Sequence, residues 1–337
     1  MHLASLIQLL LLCFLRPFCG QFNCGFSVAH RRKSGPIAEG NFPRGAAIAS
    51  LVAMPELPEV EVLCRHLAPL LHGRTIRAVE VRRSKILAPT GEQELRRALV
   101  GARFLTLARR GKFLVFTLRP RAAAGGGPRL LIGHLGMTGR LFVAGKSEPL
   151  PKHAAVIFDL GPRRLVFEDP RAFGRMTLDT SALARLGPEP LGDEFTPAKF
   201  AAALRRSAQA IKVKLLDQSL VSGVGNIYAS ESLFRARLSP RRAARRLNAD
   251  EVQRLWQSIR AVLTEAIAYG STLPLRFAGG AGDGLFYFGR AAGAPAHDHE
   301  RLLVYDRAGQ PCVVCGAPIR RLVQAARSTF YCAKCQR

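Results

Sequence analysis

Two cysteine pairs, Cys312-Val313-Val314-Cys315 and Cys332-Ala333-Lys334-Cys335, constrain the fold of this 337-residue chain more than any other feature. Sixteen residues separate them. Four thiolates at that spacing close a tetrahedral shell around zinc, each pair sitting on one tight turn of a hairpin. A shell of four thiolates leaves no open coordination position, so such an ion is structural and stiffens a hairpin too small to have a core of its own. Five of the eight cysteines lie beyond Met54, four of them in these pairs. That usage suits metal binding in a reducing compartment better than a disulfide framework.

The second constraint is chemical. Met54-Pro55-Glu56-Leu57-Pro58-Glu59-Val60-Glu61 opens an amphipathic run. A chain started at Met54 and trimmed of it would expose Pro55 as a free secondary amine. An α-amine with a pKa near ~8 is partly unprotonated at neutral pH and is a usable nucleophile. Condensed with a sugar aldehyde carbon, it gives a cationic iminium that has no proton left to lose, an electron sink. Glu56 stands beside it as an acid or base. The bland alternative is a proline in the first turn of a helix followed by acidic residues, which suits the helix dipole without any chemistry. Residues 1–53 have an apolar run at 3–15, too short to span a bilayer and without a basic lead. The expectation is an upstream start that is not the true one, or a cleaved segment, because a retained extension would acylate Pro55.

The chain carries 50 Lys and Arg against 24 Asp and Glu, a net charge of +26. Only five of the basic residues precede Pro55, so the excess belongs to the body of the protein. A basic body points to a polyanion, most often nucleic acid, although arginine used for solubility would look the same.

The pattern predicts an α+β multidomain protein. Residues 56–72 place Val60, Leu63, Leu67, Leu70 and Leu71 on one helical face, with Gly73 as the stop. From 75 to 178 the pattern is β throughout: short strands joined by glycine-bearing turns, among them Arg109-Arg110-Gly111-Lys112, which imply a two-sheet antiparallel sandwich. The run 122–128 reads as a surface insertion. Leu186–Gly192 reads as a linker, and helical spacing resumes at 197–206, 211–218, 227–235 and 249–269. Ser222-Gly223-Val224-Gly225-Asn226 joins two of these helices. Its glycines permit a tight double turn, Asn226 can cap the next helix, and the freed amides there can hold a phosphate. The domain boundaries expected are 1–53, a non-family extension; 54–185, helix plus β-sandwich; 186–276, the helical domain; 277–300, a flexible loop; and 301–337, the zinc hairpin.

The opening Met54–Glu61, the Ser222–Ala229 turn and the paired cysteines resemble formamidopyrimidine-DNA glycosylase, and the resemblance covers 54–337. It implies an N-terminal helix with an antiparallel β-sandwich, a C-terminal helical domain with a helix-two-turn-helix, and a zinc-ribbon hairpin. It implies a bifunctional glycosylase and AP lyase that excises 8-oxoguanine and formamidopyrimidines from duplex DNA by β,δ-elimination. Pro55 and Glu56 match the catalytic pair, Lys112 the pocket lysine, and Arg327 the hairpin arginine on the lesion's phosphate. Met137, Arg171 and Phe173 match the residues that fill the space left by the extruded nucleotide. Lys212 and Asn226 match backbone-phosphate contacts, and His153 matches the family's DNA-contacting histidine. The family's basic residue ahead of the double turn falls at Ser207, so Arg205 or Arg206 supplies that charge instead. The resemblance further implies one structural Zn2+, a monomer, no membrane association and a cytoplasmic, nucleoid-associated location. The 277–300 loop would read the base.

Two other functions fit parts of the same pattern. A related glycosylase for oxidised pyrimidines shares the proline chemistry, double turn and zinc hairpin; Leu57 and the Met137, Arg171, Phe173 set favour the purine enzyme. A non-catalytic zinc-ribbon DNA-binding protein is what remains if residues 1–53 stay attached.

Overall fold

The computed structural model describes residues 55–121, 127–268 and 302–337. The extension 1–53, the expected base-reading loop 277–300 and most of the 122–128 insertion lie outside the described residues.

Helix α1 (Leu57–Leu71) is preceded by Glu56 and stops at His72, ahead of Gly73 at φ +74°. Its apolar positions serve two cores. Val60, Leu63, Leu67 and Leu71 pack into the sandwich, whereas Leu57 belongs to the helical core with Val224 and Ile227. Each fully buried leucine stabilises by roughly 1.5–3 kcal/mol, so α1 ties the two regions together.

The sandwich has two four-stranded antiparallel sheets. One runs β2 (Arg103–Arg110), β3 (Phe113–Arg119), β4 (Arg129–His134), β8 (Arg175–Thr177). The other runs β1 (Ala78–Val81), β6 (Ala154–Asp159), β7 (Arg163–Glu168), β5 (Arg140–Gly145). Phe104, Phe116, Phe158 and Phe167 fill the space between them, the first two edge to face at 5.8 Å. The strands flanking His134–Gly139 fall in different sheets, so that stretch crosses the sandwich and closes no hairpin. The continuous β pattern expected from 75 to 178 also needs correction. A 3-10 turn (Ser84–Leu87) and helix α2 (Glu92–Leu99) interrupt it. Leu95, Ala98 and Leu99 at helical spacing bury one face of α2, and Glu94 accepts from the Gly91 amide at its start.

A short turn, α3 (Ser181–Ala184), leads into the helical region: α4 (Pro197–Arg205), α5 (Ile211–Leu215), α6 (Asn226–Arg235) and α7 (Ala249–Ala268). The last strands, β9 (Arg320–Gln324) and β10 (Arg327–Tyr331), pair antiparallel between the cysteine pairs. Among the described residues no helix is long and apolar enough to cross a membrane.

Candidate active site

The N-terminus of α6 is where distant parts of the chain meet. Its N-cap is Gly225, which has no side chain to offer. The capping group comes from the other end of the chain: Ile227 N–H donates to Glu56 Oε1 at 2.9 Å and Tyr228 N–H to Glu56 Oε2 at 3.4 Å. A carboxylate in that place complements the helix dipole. Two expectations are thereby corrected. Asn226 is the first helical residue and caps nothing, and the amides expected to hold a phosphate are occupied by Glu56. The double turn is glycine for steric reasons as much as conformational ones. A Cβ on Gly225 would lie 2.3 Å from Glu56 Cδ, and one on Gly223 (φ +85°) 2.6 Å from Leu57 Cδ1.

A second carboxylate, which the sequence did not single out, lies directly beneath. Glu59 is fully buried; it accepts the Glu56 N–H at 2.8 Å and the Tyr228 hydroxyl at 2.6 Å. Burial pushes its pKa up to about 7, against the lowering effect of the Tyr228 hydroxyl. Pro55, next in the chain to Glu56, is buried.

Lys112 occupies the two-residue turn between β2 and β3. Burial lowers the pKa of its ammonium, Glu56 opposes that shift, and Arg327 adds to it, so Lys112 lies within electrostatic reach of both. The turn itself is clamped. Glu189, in the segment read as a linker, accepts the Gly111 amide at 2.6 Å and pairs with Arg109 and Arg110. Arg110 also donates to the Gly187 carbonyl at 2.6 Å. These two arginines are therefore held inside the protein. His134 is the strand partner of Phe113, the residue after Lys112, and the two rings lie 4.8 Å apart. Burial, reinforced by Lys112 and Arg175, lowers its pKa to about 4.

Lys212 is completely buried and its ammonium donates to Asn226 Oδ1 at 2.6 Å. Burial lowers its pKa to about 8. Asn226 then donates through Nδ2 to the Ser328 carbonyl at 2.9 Å, next to Arg327. The exposed Arg327 opens β10 opposite Gln324. One turn further along α6, buried Glu231 accepts the amides of Leu303, Val304 and Tyr305 at 2.8–3.0 Å. Helix α6 thus carries the zinc hairpin on the same turns that hold Glu56.

The residues present fit the zinc expected of them. The four sulfurs of Cys312, Cys315, Cys332 and Cys335 lie within 4.8 Å of one another, with Cys312–Cys335 at 3.9 Å and Cys315–Cys332 at 3.5 Å. Zinc–sulfur bonds of about 2.3 Å in a tetrahedron require separations of that size.

The remaining predicted residues form a separate group on two touching loops. Buried Asp169 accepts from Thr138 Oγ1 at 2.6 Å, from the Arg171 amide at 3.2 Å and from the Gly174 amide at 2.7 Å. That one carboxylate fixes the Met137 loop to the Arg171–Phe173 loop. Phe173 is 49 % exposed, with the Arg171 guanidinium 4.6 Å above its ring. His153 is tied in by Arg83, which donates to Nδ1 at 3.0 Å. Arg206 is exposed at the end of α4. Glu59, Tyr228, Asp169 and Glu189 went unread in the sequence. For Glu59 the one available signal was an acidic residue at the start of an apolar helical run; Asp169, Glu189 and Tyr228 carried none.

Sandwich, double-turn helical region and four-cysteine hairpin, meeting at a buried proline and glutamate, define a zinc-finger protein of the helix-two-turn-helix class. Comparison with known proteins narrows this. Residues 54–176 match the formamidopyrimidine-DNA glycosylase N-terminal domain, 186–275 the H2TH domain of the same enzymes, and 309–337 the zinc finger found in FPG and IleRS. Formamidopyrimidine-DNA glycosylase of Thermus thermophilus is 43% identical over 291 residues, 84% of this chain and 98% of the relative. That of Symbiobacterium thermophilum is 42% identical over 292 residues, 84% and 89% of the two chains. Among solved structures, the Lactococcus lactis enzyme bound to DNA containing N7-benzyl-Fapy-dG has a TM-score of 0.72 at 31% identity, covering 84% of this chain and all of that one. MutM bound to DNA containing carbocyclic 8-oxo-G gives 0.72 at 32% identity, with the same coverage. The chain belongs to the formamidopyrimidine-DNA glycosylase family, and its four cysteines are the ligands of one structural Zn2+.

Proposed function

We propose that this protein is a bifunctional DNA glycosylase and AP lyase that removes oxidised purines, 8-oxoguanine and formamidopyrimidines, from duplex DNA in base excision repair. The observation that carries the reading is the Glu56 carboxylate seated on the N-terminal amides of α6, next in the chain to Pro55, with Lys112 within electrostatic reach of Glu56 and of Arg327.

The unprotonated Pro55 nitrogen attacks C1′ of the extruded nucleotide, and the base leaves with the electrons of the glycosidic bond and a proton. Glu56 assists opening of the sugar ring and the proton transfers that yield the iminium. The iminium acidifies C2′; loss of that proton expels the 3′ phosphate, and a second elimination expels the 5′ phosphate. Lys112 and Arg327 stabilise the leaving charge. Met137 and Phe173 fill the stack while Arg171 faces the unpaired base. Asn226, backed by the buried Lys212, joins His153 and Arg206 on the DNA backbone, contacts that position without reading sequence. The functional units are 54–185, 186–276 and 301–337, with 277–300 reading the base; the enzyme acts as a monomer in the cytoplasm, on the nucleoid.

The reading requires Pro55 to be free. Borohydride should trap the protein covalently on DNA containing 8-oxoguanine, mass spectrometry should place the adduct on Pro55, and Pro55→Gly should slow strand scission sharply. Preferential cutting at thymine glycol, or scission by a form with Pro55 capped, would overturn it.

A further inference from the structure

Five exposed arginines outside the catalytic pocket lie on adjoining segments. Exposed Arg205 and Arg206 end α4, and exposed Arg241, Arg245 and Arg246 lie between α6 and α7. Backbone hydrogen bonds lace the two segments together: Arg245 N–H to Ser207 O at 2.9 Å and Ala244 N–H to Gln209 O at 2.8 Å. On its other side the second segment accepts from the start of α5, Ile211 N–H to Arg242 O at 2.7 Å. It begins against the zinc hairpin, where Gln324 donates to the Pro240 carbonyl at 3.2 Å and the Arg241 guanidinium lies 5.9 Å from the Tyr331 ring. Gln324 is the strand partner of Arg327. The row therefore starts beside the hairpin tip that carries Arg327, passes the helix of Lys212, and ends at Arg205 and Arg206.

Arg242, in the same segment, is paired with Glu251. Among the described residues no acidic side chain pairs with the other five. Like charges set side by side repel unless a polyanion covers them. Lys212 cannot do that work with a free charge, because its ammonium is buried on Asn226.

We propose that Arg241, Arg245 and Arg246, continuous with Arg205 and Arg206, bind backbone phosphates of the duplex flanking the lesion and so extend the DNA footprint away from the catalytic pocket. The proposal rests on the reading of this chain as acting on duplex DNA. Guanidinium groups suit phosphate because they can donate two parallel hydrogen bonds. Such contacts are indifferent to sequence, so they lengthen the hold on DNA and leave the choice of lesion to the pocket.

The test compares two duplexes carrying a central stable abasic analogue, one a single helical turn long and one three turns long, by fluorescence anisotropy across a salt series. The wild-type slope of log K against log salt should be steeper on the long duplex by about 0.9 for each extra phosphate neutralised. The triple variant R241S/R245S/R246S should abolish that difference and weaken long-duplex binding about tenfold at physiological salt, with a far smaller change on the short one. Zinc content and thermal midpoint confirm that the variant is folded. Equal wild-type slopes on both lengths, or an unchanged long-duplex slope in the folded variant, would overturn the proposal. A wild type with no preference for the abasic analogue on either duplex would instead count against the DNA-repair reading.

Discussion

Glu56 and Ile227 stand 171 residues apart in the chain and meet through one hydrogen bond of 2.9 Å, the Ile227 amide donating to Glu56 Oε1. The sandwich's first helix and the double turn of the helical region are therefore locked at Glu56, next in the chain to the proposed nucleophile Pro55. A carboxylate from a distant part of the chain has replaced the ordinary side-chain cap of a helix. In the proposed mechanism catalysis and domain docking depend on the same contact, and the consequences can be measured.

Gly225→Ala should damage both. The added methyl would lie 2.3 Å from Glu56 Cδ, and neither the helix start nor the carboxylate can yield without losing its bonds. Overpacking of this kind costs about 1–3 kcal/mol, and a displacement of about 1 Å at the reacting groups can cost about 10²-fold in rate. Urea unfolding and single-turnover strand scission should record the two effects together. An alanine variant with wild-type scission would mean that Glu56 does not have to sit there.

Glu59 should leave a signature in stability. Its folded pKa is raised from 4.5 to about 7, so the folded state binds the extra proton between those values. The stabilisation is complete below the unfolded pKa and is lost as pH rises through about 7. Glu59→Gln should flatten that part of the unfolding free energy profile. Tyr228→Phe should move the inflection upward, because the lost hydroxyl was holding the pKa down. Chemical denaturation at a series of pH values decides it; profiles parallel to wild type would show that Glu59 does not titrate in that range.

Zinc should matter to chemistry from a distance. Chelation, or Cys312→Ser, releases the hairpin that positions Arg327 and Ser328. Covalent trapping and strand scission should fall at least about 10²-fold, the scale expected when positioned charge stabilisation is lost. The sandwich core, which shares no residue with the hairpin cluster, should keep its β signal in circular dichroism. Full scission by zinc-free protein would remove the hairpin from the mechanism.

Phe173→Ala separates a wedge from a core residue. Because Phe173 is 49 % exposed, its loss should change stability by no more than about 0.5 kcal/mol, whereas a buried phenylalanine would cost about 3–5 kcal/mol. Excision from a paired lesion duplex should nevertheless slow, while an abasic site, which has no base to extrude, should be cut at near the normal rate. A large fall in thermal midpoint with equal loss on both substrates would show a structural role.

Legibility followed the range of the interactions involved. The cysteine spacing specified a metal hairpin, the period of Val60, Leu63 and Leu67 specified α1, and the glycine-marked strands specified a sandwich, because each pattern is written within a few consecutive residues. Helix α2 escaped because its eight residues are shorter than the window over which a helical period is read, although Leu95, Ala98 and Leu99 keep that spacing. Pro55 and Glu56 also had a legible chemistry, since that follows from the functional groups themselves. What tertiary structure alone decided is which partner each charge received. Glu56 took the amides expected to hold a phosphate, Lys212 was buried on Asn226, Arg109 and Arg110 were tied to Glu189, and Glu59 was enclosed. Burial and ion pairing depend on neighbours up to 172 residues away, and no local pattern in the chain encodes them.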